Sequence, residues 1–288
     1  MDNNKKCKLS VIIVNYNSLN YLKECIYSIK KNNDIGEALE IIVVDNSTND
    51  DAIKWLVTQK NIKAVKNENK GFGQGNNVGS KIACGKYLLF LNPDTIIIEP
   101  IFKYAISKFE MSTRLGLFGI QLVDRNMIPN STYGLRMPLG FFRTVLCKFL
   151  ILLRIFLPSK MYTSGADIFI RKDVFEKAGG FDENLFMYCE EADLCNRVNS
   201  IGYQNKFFPQ KRIVHLEGKT SETNLLTMYK RQMSSRKYYC EKYSIPFEKY
   251  RKSEMRYCKL KILVLRLLGR KARASEYEKI ICYLDTIA

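Results

Sequence analysis

Apolar residues at the start of the chain come in short runs closed by polar or glycine-rich residues, with amphipathic stretches between them. Residues 9–14 form a largely β-branched apolar run, interrupted only by Ser10, the pattern of a strand buried on both faces. Tyr21, Leu22, Cys25, Ile26 and Ile29 then recur at helical spacing behind Asn20, a residue suited to capping. Residues 41–44 read as a second strand, closed by Asp45-Asn46-Ser47-Thr48. A short helix over 52–58 and a strand over 62–65 follow. A glycine-rich turn over 71–75 leads into a helix over 76–84. The run Tyr87-Leu88-Leu89-Phe90-Leu91 is a buried strand that stops at Pro93, which has no N–H to give a sheet ladder. Pro100 fits the first turn of a helix over 101–109.

Strands alternating with helices predict βαβ units and an α/β fold with a mostly parallel central sheet. The middle of the chain gives a weaker pattern, with a strand over 117–122. Strand 168–170, helices 172–178 and 191–200, and strands 204–208 and 213–216 follow. After Thr223 the chain reads as helix to its end. The expected division is residues 1–222 as one α/β domain, with halves 1–120 and 121–222 and a basic apolar insertion over 138–158, then a helical C-terminal region over 223–288.

Charge narrows the possible partners. The 288 residues hold 46 Lys and Arg against 29 Asp and Glu, a net +17, which implies an anionic partner: nucleic acid, an anionic membrane surface or a phosphorylated substrate. The nine cysteines are scattered, without a Cys-x-x-Cys pair, and suit a reducing compartment better than a disulfide framework or zinc site. No signal peptide is visible. The longest apolar stretch, 139–157, is interrupted by Arg143, Lys148 and Arg154, so it reads as an interfacial helix, or a core helix with snorkelling cations, rather than a membrane span.

Several segments carry candidate chemistry. Asn15-Tyr16-Asn17 closes the first strand, where an aromatic ring and two amides can meet a base. Asp45-Asn46 closes the second, where a carboxylate can accept from a base N–H or a ribose hydroxyl. Gly71-Phe72-Gly73-Gln74-Gly75 allows close backbone approach, but a dinucleotide fingerprint belongs after the first strand, and a P-loop would end in Lys-Ser/Thr. Asp94 sits at the rim where open α/β sheets bind ligands, placed either to hold a metal or to close a plain turn. Glu190-Glu191, with Asp193 beyond, opens a helix. Acids there suit the macrodipole, and one of them could serve as a general base. His215, the only histidine, ends an apolar run and could join Asp94 in a mixed N/O metal site.

In this order the segments resemble family 2 glycosyltransferases, the inverting group with the GT-A fold. The resemblance runs from about Leu9 to about Gly218. It is carried by Val44-Asp45-Asn46-Ser47, Asn69-Lys70-Gly71-Phe72-Gly73, Asn76-Asn77-Val78-Gly79, Leu91-Asn92-Pro93-Asp94-Thr95 and Gly179-Gly180-Phe181-Asp182-Glu183. The Asn-Pro-Asp-Thr form is similar to the rhamnosyltransferase-like branch that builds bacterial surface polysaccharides. The resemblance implies a nucleotide-sugar half over 1–120 and an acceptor half over 121–222. It implies donor contacts from Asn15, Tyr16, Asn17, Asp45, Asn46, Gly71, Phe72, Asn77, Asn92 and Asp94. Mg²⁺ or Mn²⁺ is expected on Asp94 and His215, with the acceptor near Ser164, Gly165 and Asp193. Two departures stand out. Asn92 replaces the first acid of the family's Asp-x-Asp motif, and Glu191 stands where the family usually has Asp, which leaves the base open between Glu190 and Glu191.

The partners so implied are a dTDP- or UDP-sugar and a saccharide acceptor, carried on a polyprenyl diphosphate. The expected location is cytoplasmic, peripheral at the inner face of the membrane, with a homodimer possible and no nucleic acid bound. The competing classes are a catalytically weak scaffold of the same fold, a basic nucleic-acid-binding protein and a nicotinamide oxidoreductase.

Overall fold

The computed structural model describes residues 7–130, 132–136, 146–147, 149–216 and 225–287. Part of the insertion expected over 138–158, and the boundary expected at 222–223, lie outside the described residues. The strands are β1 (Leu9–Asn15), β2 (Leu39–Asp45), β3 (Ile62–Lys66), β4 (Tyr87–Leu91), β5 (Thr95–Ile97), β6 (Leu115–Val123), β7 (Tyr133–Leu135), β8 (Met161–Thr163), β9 (Asp167–Arg171) and β10 (Gln204–His215). The helices are α1 (Leu19–Lys31), α2 (Asp51–Leu56), α3 (Phe72–Ile82), α4 (Phe102–Glu110), α5 (Lys172–Lys177), α6 (Glu190–Ser200), α7 (Leu225–Lys242), α8 (Phe247–Leu267) and α9 (Lys271–Thr286).

Eight strands form one sheet in the order β3-β2-β1-β4-β9-β6-β10-β5. The first four are parallel, β9 runs antiparallel between β4 and β6, β6 and β10 are parallel, and β5 closes the far edge antiparallel to β10. The expected α/β architecture with a mostly parallel sheet is what forms. Alternate residues of β1 point to opposite faces. Leu9, Val11 and Ile13 pack with Leu22, Cys25, Phe102 and Phe109 of α1 and α4, while Ile12 meets Phe175, Phe181 and Val198 on the other side. The C-terminal helices have a core of their own, built on Tyr229, Met233, Tyr250, Cys258, Tyr277 and Ile280.

Several elements depart from the sequence pattern. α3 begins at Phe72, inside the stretch read as a turn. Only Gly71, at φ +108°, makes the turn. The helical Gly79 lets α3 approach the sheet, since a Cβ there would lie 2.5 Å from Ile12. α1 starts at Leu19 with Ser18 before it, two residues earlier than a cap at Asn20 suggests. β5, β7 and β8 are three residues each, too short to show a periodicity. The two strands expected over 204–216 are one, broken in register by an irregularity between Phe208 and Arg212.

Candidate active site

Thr95 closes a tight turn after β4 by donating its N–H and hydroxyl to the Asn92 carbonyl, at 3.3 and 2.7 Å. Asp94 sits within that turn. The chain re-enters the sheet at once as β5, where Thr95 pairs with His215 of β10. This register brings the Asp94 carboxylate to 3.4 Å from His215 Nε2, and Leu216 N–H donates to the Asp94 carbonyl at 3.0 Å. The two residues expected to hold a metal therefore lie side by side. His215 Nδ1 is buried without a partner. Asn130 donates to the His215 carbonyl at 3.1 Å and leaves its own buried side-chain oxygen unpartnered. A carboxylate and an imidazole side by side suit a divalent cation that accepts mixed N/O ligands.

On the donor side, Asp45 is fully buried, and its oxygens are taken within the protein. Asn15 Nδ2 donates to Oδ1 at 2.8 Å, the Ser47 hydroxyl donates to the same oxygen at 2.5 Å, and Lys66 Nζ lies 3.3 Å from Oδ2. The expectation that Asp45 itself lines the nucleotide site is corrected to an indirect one: it fixes the two loops that do form a cavity. Asn15, Asn17, Ser18, Ser47, Asn49 and Asp51 line that cavity of about 320 Å³, between the starts of α1 and α2. Tyr16 is 43% exposed on the same loop. Asn46 is buried, and its side-chain oxygen accepts from Asn67 at 2.9 Å.

Gly71, Phe72 and Asn77 meet the loop that leads to the acidic pair. A side chain at Gly71 would collide with the Phe186 backbone, and Phe72 N–H donates to the Phe186 carbonyl at 3.0 Å. Asn77 brackets Phe181, accepting from its N–H at 2.8 Å and donating to its carbonyl at 2.9 Å. Its amide nitrogen also donates to Glu183 Oε1 at 2.9 Å, so its side chain ties the 181–183 segment to α3.

That loop ends in Tyr188 and Cys189, both left-handed at φ 73° and 74°, a costly arrangement of about 1–3 kcal/mol each. The kink delivers Glu190 and Glu191 as the first residues of α6. Glu190 is buried, with one carboxyl oxygen unpartnered. Burial, and then the charge of Glu191, pushes its pKa well above the ordinary carboxylate value. Burial raises Glu191 as well, opposed by its own backbone N–H, by that of Gly165 and by the Arg236 guanidinium. Glu191 packs on Gly165, where a Cβ would lie 3.0 Å from its Cγ. Ser164 accepts from Ala166 N–H at 3.3 Å, and the Ala166 carbonyl accepts from Asn92 N–H at 3.1 Å. The 164–166 segment thus joins the Asp94 turn to Glu191.

Asp193 does not join them. Two residues further along α6, it points away from Glu191. It is buried against Arg197 at 2.7 Å, Lys242 at 2.6 Å and the Tyr243 hydroxyl at 2.8 Å. The expected acceptor-side role is corrected to a structural one.

Residues 10–179, more than half of the chain, match the model of glycosyl transferase family 2. The chain belongs to that family. This glycosyltransferase is 26% identical to the rhamnosyltransferase WbbL of Escherichia coli K12 over 224 residues, 71% of this chain and 82% of WbbL. A 54-residue stretch, 19% of the chain and 18% of the relative, is 35% identical to the N-acetylglucosaminyl-diphospho-decaprenol L-rhamnosyltransferase of Mycobacterium tuberculosis H37Rv. Among solved structures, the Pyrobaculum calidifontis mannosyltransferase PcManGT, in complex with GDP-Man and Mn²⁺, superposes with a TM-score of 0.63 at 14% identity, over 96% of this chain and 84% of that one. The GT-A fold is thereby shown.

Arg236 and Asn130 were not among the residues the sequence pointed to. Arg236 lies on α7, with its guanidinium 4.4 Å from the Tyr250 ring, and reaches Glu191 only through the tertiary fold. No local pattern signals either of them.

Proposed function

We propose that this enzyme transfers a sugar, rhamnose or another hexose, from a dTDP- or UDP-sugar to a hydroxyl of a saccharide carried on polyprenyl diphosphate. The transfer inverts the anomeric centre and serves the assembly of cell-surface polysaccharide at the inner face of the cytoplasmic membrane. The names of the rhamnosyltransferase relatives support the sugar and the lipid-linked acceptor. One observation carries the reading. The Asp94–His215 pair and the Glu190–Glu191 pair are tied to the same short segment, 164–166, so a diphosphate anchor and a proton acceptor flank one place.

In the proposed step, Glu191 takes the acceptor's hydroxyl proton as that oxygen bonds to the anomeric carbon. The bond from that carbon to the diphosphate oxygen breaks, and the nucleoside diphosphate leaves with the electron pair. Mg²⁺ or Mn²⁺ held by Asp94 and His215 would neutralise charge on the leaving diphosphate. Neighbouring carboxyls whose environments differ take different roles. Glu190, the more deeply buried, keeps its proton, while Glu191, partly buried and facing Arg236, ionises and acts as the base.

Glu191→Gln is expected to lose transfer by roughly 10²–10⁴-fold and to keep the thermal shift given by the nucleotide-sugar. Glu190→Gln, which copies a neutral carboxyl, keeps most of the activity. Its acidic pH limb stays in place, because Glu190 is already neutral when Glu191 ionises and the Glu191 carboxyl is set by burial, its own backbone N–H, that of Gly165 and Arg236. Exchange of the two phenotypes would make Glu190 the base. Full turnover in both variants would end the reading.

A further inference from the structure

A second cavity, of about 380 Å³, lies on the other side of α6 from the Asp94 turn. It is bounded by Arg136 at the end of β7, Ser159 and Lys160 before β8, Asn196 on α6, and Tyr239 and Tyr243 at the end of α7. Its volume is that of a small-molecule site, and none of its lining residues is acidic. Arg136 is fixed in place: its guanidinium donates to Asn196 Oδ1 at 2.5 Å and to the Pro158 carbonyl at 3.2 Å. Both partners are neutral, and its Nε is buried without a partner. A held guanidinium beside a lysine, with no acid among the described residues that line the cavity, is a receptor for a phosphate group. The two tyrosines, with ring centroids 4.8 Å apart and planes tilted by 50°, add aromatic surface at one side of the cavity.

The surroundings narrow the ligand further. The segment that enters the cavity exposes Phe149, Leu152, Leu153, Ile155 and Leu157, at 40–72% of their surfaces. From Arg125 through Ala166 the sequence has no Asp or Glu. An apolar strip therefore runs into an anion-accepting cavity. At the other end, Asn196 stands five residues beyond Glu191 on the same helix, roughly 7–8 Å along its axis.

We propose that this cavity binds the diphosphate of the lipid-linked acceptor, with Arg136 and Lys160 on the phosphates, the prenyl chain on the 149–157 strip and the saccharide leading along α6 toward Glu191. The proposal rests on the transfer reading above and adds a recognition site distinct from the donor's.

The test uses the full chain and geranyl diphosphate, a soluble prenyl diphosphate, with affinity measured by calorimetry. Geranyl diphosphate is expected to bind, inorganic diphosphate to compete weakly, and geraniol not to bind. Nucleoside diphosphate, which belongs to the donor site, should not displace it. Arg136→Gln and Lys160→Glu should each weaken binding tenfold or more. Lys160 is exposed, so its variant keeps the fold, and an unchanged thermal shift with nucleoside diphosphate serves as the control. Equal binding by parent and variants, or displacement by nucleoside diphosphate, overturns the proposal. Either result leaves the transfer reading standing, because that reading falls only if no nucleotide-sugar is bound and no sugar is transferred.

Discussion

Asp167 carries a carboxyl group into the middle of the sheet. Oδ2 accepts the Ile120 N–H at 2.7 Å, and Oδ1 has no partner. Burial raises its pKa well above the ordinary value, opposed only by that one hydrogen bond. A raised folded-state pKa means that the folded protein holds the proton longer than the unfolded chain does. Its contribution to stability is therefore complete below the unfolded value near 3.8 and is lost as the pH rises through the folded one. Asn copies the protonated carboxyl, with one acceptor and one donor, and cannot ionise. Asp167→Asn should raise Tm at pH 8, by roughly 2–4 °C for each kcal/mol recovered. The gain should shrink to nothing as the pH approaches 4. Thermal melts of parent and variant across that range check it, and a gain independent of pH would assign the effect to packing instead.

The acidic pair depends on an element far from it in sequence. Lys242, at the end of α7, sits 2.6 Å from both Asp182 and Asp193, and the Tyr238 hydroxyl donates to Asp182 at 2.9 Å. These contacts hold both ends of the segment that carries Glu190 and Glu191. Burial alone would raise Asp182, but Lys242, the Asn184 backbone and Tyr238 outweigh it and bring its pKa down to about 2. A depressed value contributes stability above the unfolded pKa, which is lost as the pH falls through about 2. Lys242→Met would leave two carboxylates, one fully buried, without their shared cation. The expected cost is about 1–3 kcal/mol in urea unfolding, with a fall in kcat larger than any change in donor affinity. Parent-like stability and kcat would remove the brace from the account.

This element also marks where the sequence stopped being informative. The Asp94–His215 pair was legible because each residue ends an apolar run, and strand ends collect at one rim of an α/β sheet. The bond from the Tyr243 hydroxyl to Asp193 spans 50 residues and joins a helix to a region that reads only as basic helix. No periodicity encodes it, so Asp193 passed for a third acid of the site. The surroundings of Asp45 were hidden for a related reason: its position was visible, but Asn15 and Lys66, which share its oxygens with the adjacent Ser47, became its neighbours only on folding.

For the whole molecule, the excess of positive charge and the exposed apolar surface coincide in one element. Leu260, Leu263, Val264 and Leu267 follow each other at helical spacing on the outer face of α8, exposed by 41–79%. From Met255 through Ser275 the sequence has Arg256, Lys259, Lys261, Arg266, Arg270, Lys271 and Arg273, and no acid. Among the described residues no helix is long and apolar enough to cross a membrane. An apolar stripe flanked by cations suits a helix lying on an anionic leaflet, where each cation contributes about 1 kcal/mol and each inserted leucine about 1.5–3 kcal/mol. The chain should therefore sediment with anionic phospholipid vesicles at low salt and less so at 1 M, where screening confines charge interactions to about 3 Å. Neutral vesicles should retain little. Leu263→Glu combined with Leu267→Glu should cut the bound fraction at least tenfold while the thermal shift with nucleoside diphosphate persists. If the double variant still binds vesicles but turns a dimer into a monomer in solution, the stripe is a contact between two copies of the chain and the leaflet assignment fails.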